Sequence, residues 1–311
     1  MAMYFRNKVL LAKLETTYGT DPTPTGAANA ILTKGLTISP YNGARVSRDL
    51  DRSTFGAQSE INTGPFVTVS FGVELAGSGT AGTAPAWGPL IQACGFTETD
   101  GVSDVAYAPT NTALKSVTIY FYIDGQEHKV IGSRGNFSLS LTRGQIPTIQ
   151  FTFTGKYTRP TAVSNPTPTL TAWQAPVAVT EANTPTWTLF GHSGNCESFQ
   201  FDMGNSVIYR NLINSETIEL TDRNVRGSCV IEAVAVGTEN YFANVEAHAG
   251  VTLDAVSIVH GTTAGNIVTI GGPKVQLASL AMNDSDGILT YGMDMIFTPN
   301  SGNDEVTITL T

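Results

Sequence analysis

Four histidines (His128, His192, His248, His260) and three cysteines (Cys94, Cys196, Cys229) are the side chains best suited to acid–base, nucleophilic or metal chemistry. A zinc centre needs such residues in short paired spacings, and no histidine here has a His, Cys or carboxylate at metal-ligand spacing. The cysteines are far apart and odd in number, with no CxxC pair, which reads as a reduced chain rather than a disulfide framework. His128 follows Glu127 in "IDGQEHKV", where Asp-Gly predicts a tight hairpin turn, so it reads as an exposed strand residue rather than a base. No nucleophile elbow, P-loop, dinucleotide fingerprint or HExxH occurs. "NDSDG" (Asn283–Gly287) lacks the further ligands of a calcium loop and reads as a polar hairpin turn. "GSGTAGTAP" (Gly77–Pro85) has no Lys-Ser/Thr ending and no βαβ context, so it reads as a strand-to-helix loop, not a phosphate cradle. The expectation is a protein that is not an enzyme, with no catalytic residue, cofactor or metal.

Charge is the remaining chemistry. Only 14% of the chain is charged, yet Arg45, Arg48, Asp49, Asp51, Arg52 and Glu60 crowd into one window. Their signs cancel, which is poor for gripping phosphate. A second run, Tyr209–Arg226, repeats the density with Arg210, Glu216, Glu219, Asp222, Arg223 and Arg226, again three of each sign. A neutral, two-signed loop present twice is suited to meeting a copy of its own protein, where complementary charges set register and orientation more than affinity. The alternative is a solvated hairpin tip. Both runs are therefore candidate self-association loops.

The elements that must carry these loops are strands. "FVTVSFGVEL", "SVTIYFYID", "NFSLSLT" and "TIQFTFTGKY" alternate with period two; in the last, Ile149, Phe151 and Phe153 face one way and Gln150, Thr152 and Thr154 the other. One helix interrupts: Trp87, Leu90, Ile91 and Cys94 form an apolar stripe, Pro89 suits its first turn and Gly95 its C-terminal cap. Pro160, Pro166, Pro168, Pro176 and Pro185 break helices and central strands alike, so 159–187 reads as an extended linker.

The second half repeats the first in pattern. Ser39–Phe66 lies without a gap over Asp202–Cys229, and both are followed by an apolar strand and a short helix. The second helix is expected in "TENYFANVEAHAG", capped by Thr238, with Tyr241, Phe242, Val245 and Ala249 as its stripe and Gly250 ending it. The order strand, charged loop, strand, helix, strand, strand, strand reads as a tandem duplication; two unrelated β domains with similar turn spacing are the alternative. The expected fold is mostly β: two tandem β-sandwich or partial-barrel domains, each with one short flanking α-helix and a long β-hairpin loop. Boundaries fall at 1–30 (N-terminal arm), 31–158 (first domain), 159–187 (linker) and 188–311 (second domain). At 311 residues each half is long enough to bury a core.

A net charge of −9 and a pI near 4.9 argue against a protein that holds nucleic acid through its phosphates. "MAMYFRNKVLLAKLE" has four successive apolar residues before Lys13, too few for a signal peptide, and no window approaches a membrane span. The expected site of synthesis and assembly is the cytoplasm.

Four stretches, "LETTYGTDPTPTGAANAI", "GARVSRDLDRSTFGAQSEI", "PAWGPLIQACGF" and "FTFTGKYT", resemble the tail tube (major tail) proteins of long-tailed bacteriophages. The resemblance covers the first half and reaches the second through the internal repeat. It implies domains of two antiparallel sheets with a flanking helix, one sheet joining its neighbours into a continuous barrel around a channel. Rings would stack through the long hairpin loops and the terminal arms, and DNA would pass through the lumen without specific binding. A duplicated chain implies three chains per pseudo-sixfold ring; if the repeat is illusory, a hexamer with a decorating second domain takes its place. The resemblance further implies tape-measure and terminator partners, a place in the virion tail, assembly in the bacterial host and no membrane. An acidic lumen would fit the net charge. A secreted or surface-displayed β-sandwich binding module, of adhesin or carbohydrate-binding type, is the competing reading.

Overall fold

The computed structural model describes residues 2–311. In chain order the first half holds β1 (Lys8–Leu14), β2 (Ala30–Ile31), β3 (Lys34–Asn42), β4 (Arg45–Ser47), β5 (Glu60–Asn62), β6 (Phe66–Glu74), α1 (Gly88–Gln92), β7 (Phe96–Asp100), β8 (Val105–Pro109), β9 (Val117–Ile123), β10 (Gln126–Thr142), β11 (Thr148–Tyr157) and β12 (Thr161–Ala162). The second holds β13 (Thr186–Leu189), β14 (Cys196–Asp202), β15 (Val207–Leu212), β16 (Ser215–Leu220), β17 (Arg226–Glu232), α2 (Tyr241–Val245), β18 (Asp254–His260), β19 (Val268–Ser285), β20 (Ile288–Phe297) and β21 (Thr307–Leu310). The protein is mostly β, as its period-two sequence requires.

Antiparallel pairings assemble one long sheet in the order β3-β6-β11-β10-β14-β17-β20-β19. Its first four strands come from the first half and its last four from the second. The order within each four is the same: the strand before the loop, the strand after it, then the two strands of the last hairpin. Where they meet, Leu139 of β10 faces Phe201 of β14, and Leu141 faces Phe199. Among the described residues no chain of pairings closes on itself, so the sheet is open, with β3 and β19 as its edges.

β10 and β19 are long because each serves two layers. Register shifts near Ile131 and Leu277 mark where they turn, and a bulge is how a strand bends from one sheet into another. The first part of β10 pairs with β9, which pairs with β1 and through it β2. The first part of β19 pairs with β18, and through it β13, on one side and with β21 on the other; β21 in turn pairs with β8, a strand of the first half. Lys8–Leu14, expected within an N-terminal arm, is thus a fully paired strand.

Between the layers one apolar core runs through both halves. Phe71, Phe151, Phe137, Phe201 and Phe297 form a row with successive ring centroids 5.8, 5.9, 6.0 and 6.1 Å apart, crossing from β6 to β20. Each buried aromatic contributes about 1.5–3 kcal/mol by leaving water, and each such contact about 0.5–1.5 kcal/mol more. α1 sits as expected, with Pro89 in its first turn, Trp87, Leu90, Ile91 and Cys94 buried, and Gly95 at φ +86°. α2 differs at both ends. Asn240 is the cap, its side chain accepting from the Ala243 amide at 3.1 Å, while Thr238 lies in the preceding turn. The helix stops at Val245, so Ala249 and Gly250 lie outside it. The hairpin turn at Asp124-Gly125 has φ of +43° and +89°, as a two-residue type I′ turn demands.

The ungapped overlay of the two halves holds for β3 on β14 but not beyond the loop. Ser39 faces Thr68 across the sheet, whereas Asp202 faces Arg226, so the second loop is five residues shorter.

Candidate self-association surfaces

The two charged runs occupy the same place in the long sheet, between its edge-side and next strand, yet are built differently. In the first, β4 and β5 pair only with each other, over Arg45↔Asn62, Val46↔Ile61 and Ser47↔Glu60. Beyond them Arg48, Asp49, Asp51 and Arg52 lie on an exposed loop closed by Gln58, which donates to the Leu50 carbonyl at 2.6 Å and accepts from its amide at 2.8 Å. Among the described residues, no ion pair involves Arg45, Arg48, Asp49, Asp51, Arg52 or Glu60. Phe55 at the tip is fully exposed.

The second run is a regular hairpin of β15 and β16 seated on the first half. Arg134 on β10 makes the seat. Its guanidinium donates to the Ile218 carbonyl at 2.7 Å and the Leu114 carbonyl at 3.1 Å, and pairs with Glu219 at 2.6 Å. The ring of Tyr18 lies 4.9 Å from that guanidinium, and its hydroxyl accepts from the Ile218 amide at 2.5 Å. Tyr18 in turn packs over Gly132, a position with φ +65° where a Cβ would meet the ring at about 3 Å; only glycine fits. Beneath it, Glu15 is a buried carboxylate made tolerable by four donors: Ser116, Thr118 and the amides of Gly19 and Gly132, at 2.6–2.7 Å.

The remaining second-run residues divide. Glu216 accepts from Tyr209 at 2.9 Å; burial first, and then that bond, push the Tyr209 hydroxyl up to about 12, so it stays a donor. Arg223 lies past the hairpin and is internal: it pairs with Glu305 and donates to Asn303 at 2.6 Å and the Thr110 carbonyl at 3.1 Å. Asp222 caps the Arg223 amide at 2.8 Å. Arg226 is on β17, bonded to Asn224 at 3.1 Å, and Arg210 is exposed on β15. The base of the first run meets the outer part of the second hairpin, where Asn211 donates to the Thr63 carbonyl at 3.1 Å and Phe66 lies 5.2 Å from Tyr209.

The free edges of the long sheet are a second surface, which the sequence reading did not single out. On β3 the inward residues are Leu36 and Ile38, the places that Phe199 and Phe201 hold on β14. On β19 the outermost residues include Met282, 58% exposed, and the adjoining turn leaves Ile288 and Leu289 half exposed. Leu139, which holds the place of Met282 in the first half, is 1% exposed because β14 covers it. The missing signal in sequence was that β10 and β19 each pair with strands of two layers, which alternation alone does not reveal.

The histidines and cysteines fall outside these surfaces. His128 is half-buried, 5.9 Å from Phe121, rather than exposed, and burial lowers its basicity. The three cysteines are free; burial raises all three thiols, Cys196 to about 12, so they remain protonated. The "NDSDG" stretch is the β19–β20 turn. Among the described residues no helix is long and apolar enough to cross a membrane.

A family model described as phage tail tube protein matches residues 6–311, essentially the whole chain. No curated protein sequence matches significantly.

Proposed function

Because the chain belongs to the phage tail tube protein family, and is thereby a structural component of a virion tail, we propose that it assembles into stacked rings of three chains. The observation that carries this reading is the strand order of the long sheet. Each chain contributes two runs of four strands joined at a β10–β14 seam, and copying that seam onto the free edges joins β19 of one chain to β3 of the next. Residue for residue the copied seam pairs Ala281 with Ser39, Met282 with Ile38, Asn283 with Thr37 and Asp284 with Leu36. It covers exposed Met282 as β14 covers Leu139 and leaves no sheet edge unpaired. Three chains then give a ring of six runs, a closed heterologous assembly that fits a tandem duplication with domains at 31–158 and 188–311.

In this assembly the open face of the sheet lines a channel for DNA, held by no specific contact. The β4–β5 loop meets the next ring through Arg45, Arg48, Asp49, Asp51, Arg52 and Glu60, with Phe55 at its tip. From the second run Arg210, Glu216 and Asp222 remain for such contacts, since Glu219 and Arg223 are committed within the chain and Arg226 lies on the open face of the sheet opposite Asp202. Tape-measure and terminator proteins would meet the lumen and the last ring, and assembly would take place in the host cytoplasm.

The test is a disulfide. Residues directly opposite across antiparallel strands have Cβ atoms about 4.5–5.5 Å apart, close to disulfide reach. Ile38→Cys with Met282→Cys, oxidised after assembly, should give covalent species that end at three chains. A ladder ending at six would favour the hexamer with a decorating domain. Absence of any cross-link in assembled tubes would refute the pairing.

A further inference from the structure

We infer that the channel wall is a near-neutral hydroxyl and amide surface, not an acidic one, and that it passes a polyanion by offering it no net charge. This rests on the ring reading above, in which the open face of the eight strands turns inward. Alternation fixes which side chains leave the core. On β11 they are Thr148, Gln150, Thr152 and Thr154; on β10, Asn136, Ser138, Ser140 and Thr142. The charged residues on that face are Lys34, Arg134, Lys156 and Arg226 against Glu74, Asp202, Glu232 and Asp294, equal numbers of each sign in a chain whose net charge is −9. Asp202 and Arg226 are direct cross-strand partners and offset each other.

Several polar groups of this face satisfy one another. Ser70 and Thr152 are bonded at 3.1 Å, Gln200 donates to Ser228 at 2.9 Å, and the two central carboxylates are capped by neutral donors: Asp202 by Asn136 at 2.8 Å, Asp294 by Ser279 at 2.7 Å. The acids that make the chain negative lie elsewhere. Glu15, Glu127 and Glu305 are buried, and Glu98 is bound by Tyr107 inside the fold. Phosphate adhesion needs cations whose counterion release drives binding, and repulsion needs a field of one sign. This wall has no net field of either sign, its few cations matched by as many carboxylates, so a hydrated duplex meets a surface that neither holds it nor accumulates counter-cations.

The experiment uses assembled tubes of the full chain, cationic gold beads narrower than the channel, and electron microscopy. Wild-type tubes should show no bead enrichment along their axis. The isosteric pair Gln150→Glu with Gln200→Glu, both on the open face and exposed, should raise axial bead density several-fold. Axial enrichment in wild-type tubes would overturn the inference by revealing an acidic wall. Beads lining the outer surface of the variant, or no response at all, would overturn it by showing that this face does not line the channel. A wild-type chain that forms no tubes fails differently, and refutes the ring reading instead.

Discussion

Replacing Arg134 with Met removes the seat of the β15–β16 hairpin while keeping a side chain of similar length. Beside a long bond from its Nε to the Lys115 carbonyl at 3.4 Å and the contact with the Tyr18 ring, three interactions dominate what is lost. The bond to the Ile218 carbonyl is charge-assisted and buried, worth about 1.5–3 kcal/mol. The bond to the Leu114 carbonyl, longer and less buried, adds about 1 kcal/mol. The pair with Glu219 adds about 1 kcal/mol or less, because Glu219 is 34% exposed and water screens it. Arg134→Met should therefore cost about 3–5 kcal/mol, at the upper end of single-residue effects because it strips a buried network. For a chain of this size that lowers the thermal midpoint by roughly 6–15 °C. Denaturant unfolding of Arg134→Met and Glu219→Gln, alone and together, measures it. Glu219→Gln alone should cost about 1 kcal/mol or less, and the double variant should fall short of the sum, since the two share a partner. A cost below about 1 kcal/mol for Arg134→Met, or equal costs for the two single variants, would refute the assignment of the seat to the buried carbonyls.

The charge-reversed pair Arg48→Glu with Arg52→Glu should stop tube growth without altering the monomer's circular dichroism; normal tubes from it would show the β4–β5 loop to be a solvated tip. Burial lowers the basicity of His260 and His128, so the fold favours their neutral forms. Stability should then hold above the unfolded histidine value and fall as pH drops through about 6.5; His260→Asn should flatten that decline in thermal midpoints, and an unchanged slope would count against it. Asp21 adds nothing in that window: burial pushes its carboxyl up, but bonds from Tyr120, the Thr23 amide and Lys129 outweigh it, so its contribution is lost only below about 4. Proteolytic nicking between Asn165 and Pro176 should leave both halves in one particle by gel filtration, since β10–β14, β8–β21 and the shared core still join them; separation into two folded halves would contradict this.

Much of the fold was legible in the sequence because alternation is a local signal. Ile149, Phe151 and Phe153 are buried as their spacing requires, and α1 buries its stripe with Pro89 in its first turn, although it is capped at Ala93, two residues before Gly95. The end of α2 was less legible: Asn240 and Thr238 are both good caps, and only the Ala243 amide decides between them. What the sequence hid is non-local. Nothing near Arg134 announces that it will hold a hairpin more than eighty residues away, and equal charge counts concealed that one run is free while the other spends two of its six charges on internal pairs.

The pairing of β8 with β21 carries a consequence for how the chain is made. Val105–Pro109 meets Thr307–Leu310, so about two hundred residues must be translated between them. At about 5–20 residues per second that interval is roughly 10–40 s. Throughout it the nascent first half holds β8 with one edge unpaired, and such edges recruit other strands. Contacts this distant also slow folding, because loop closure precedes their gain. The growing polypeptide thus passes through a vulnerable window on the ribosome, closed only when its last strand emerges.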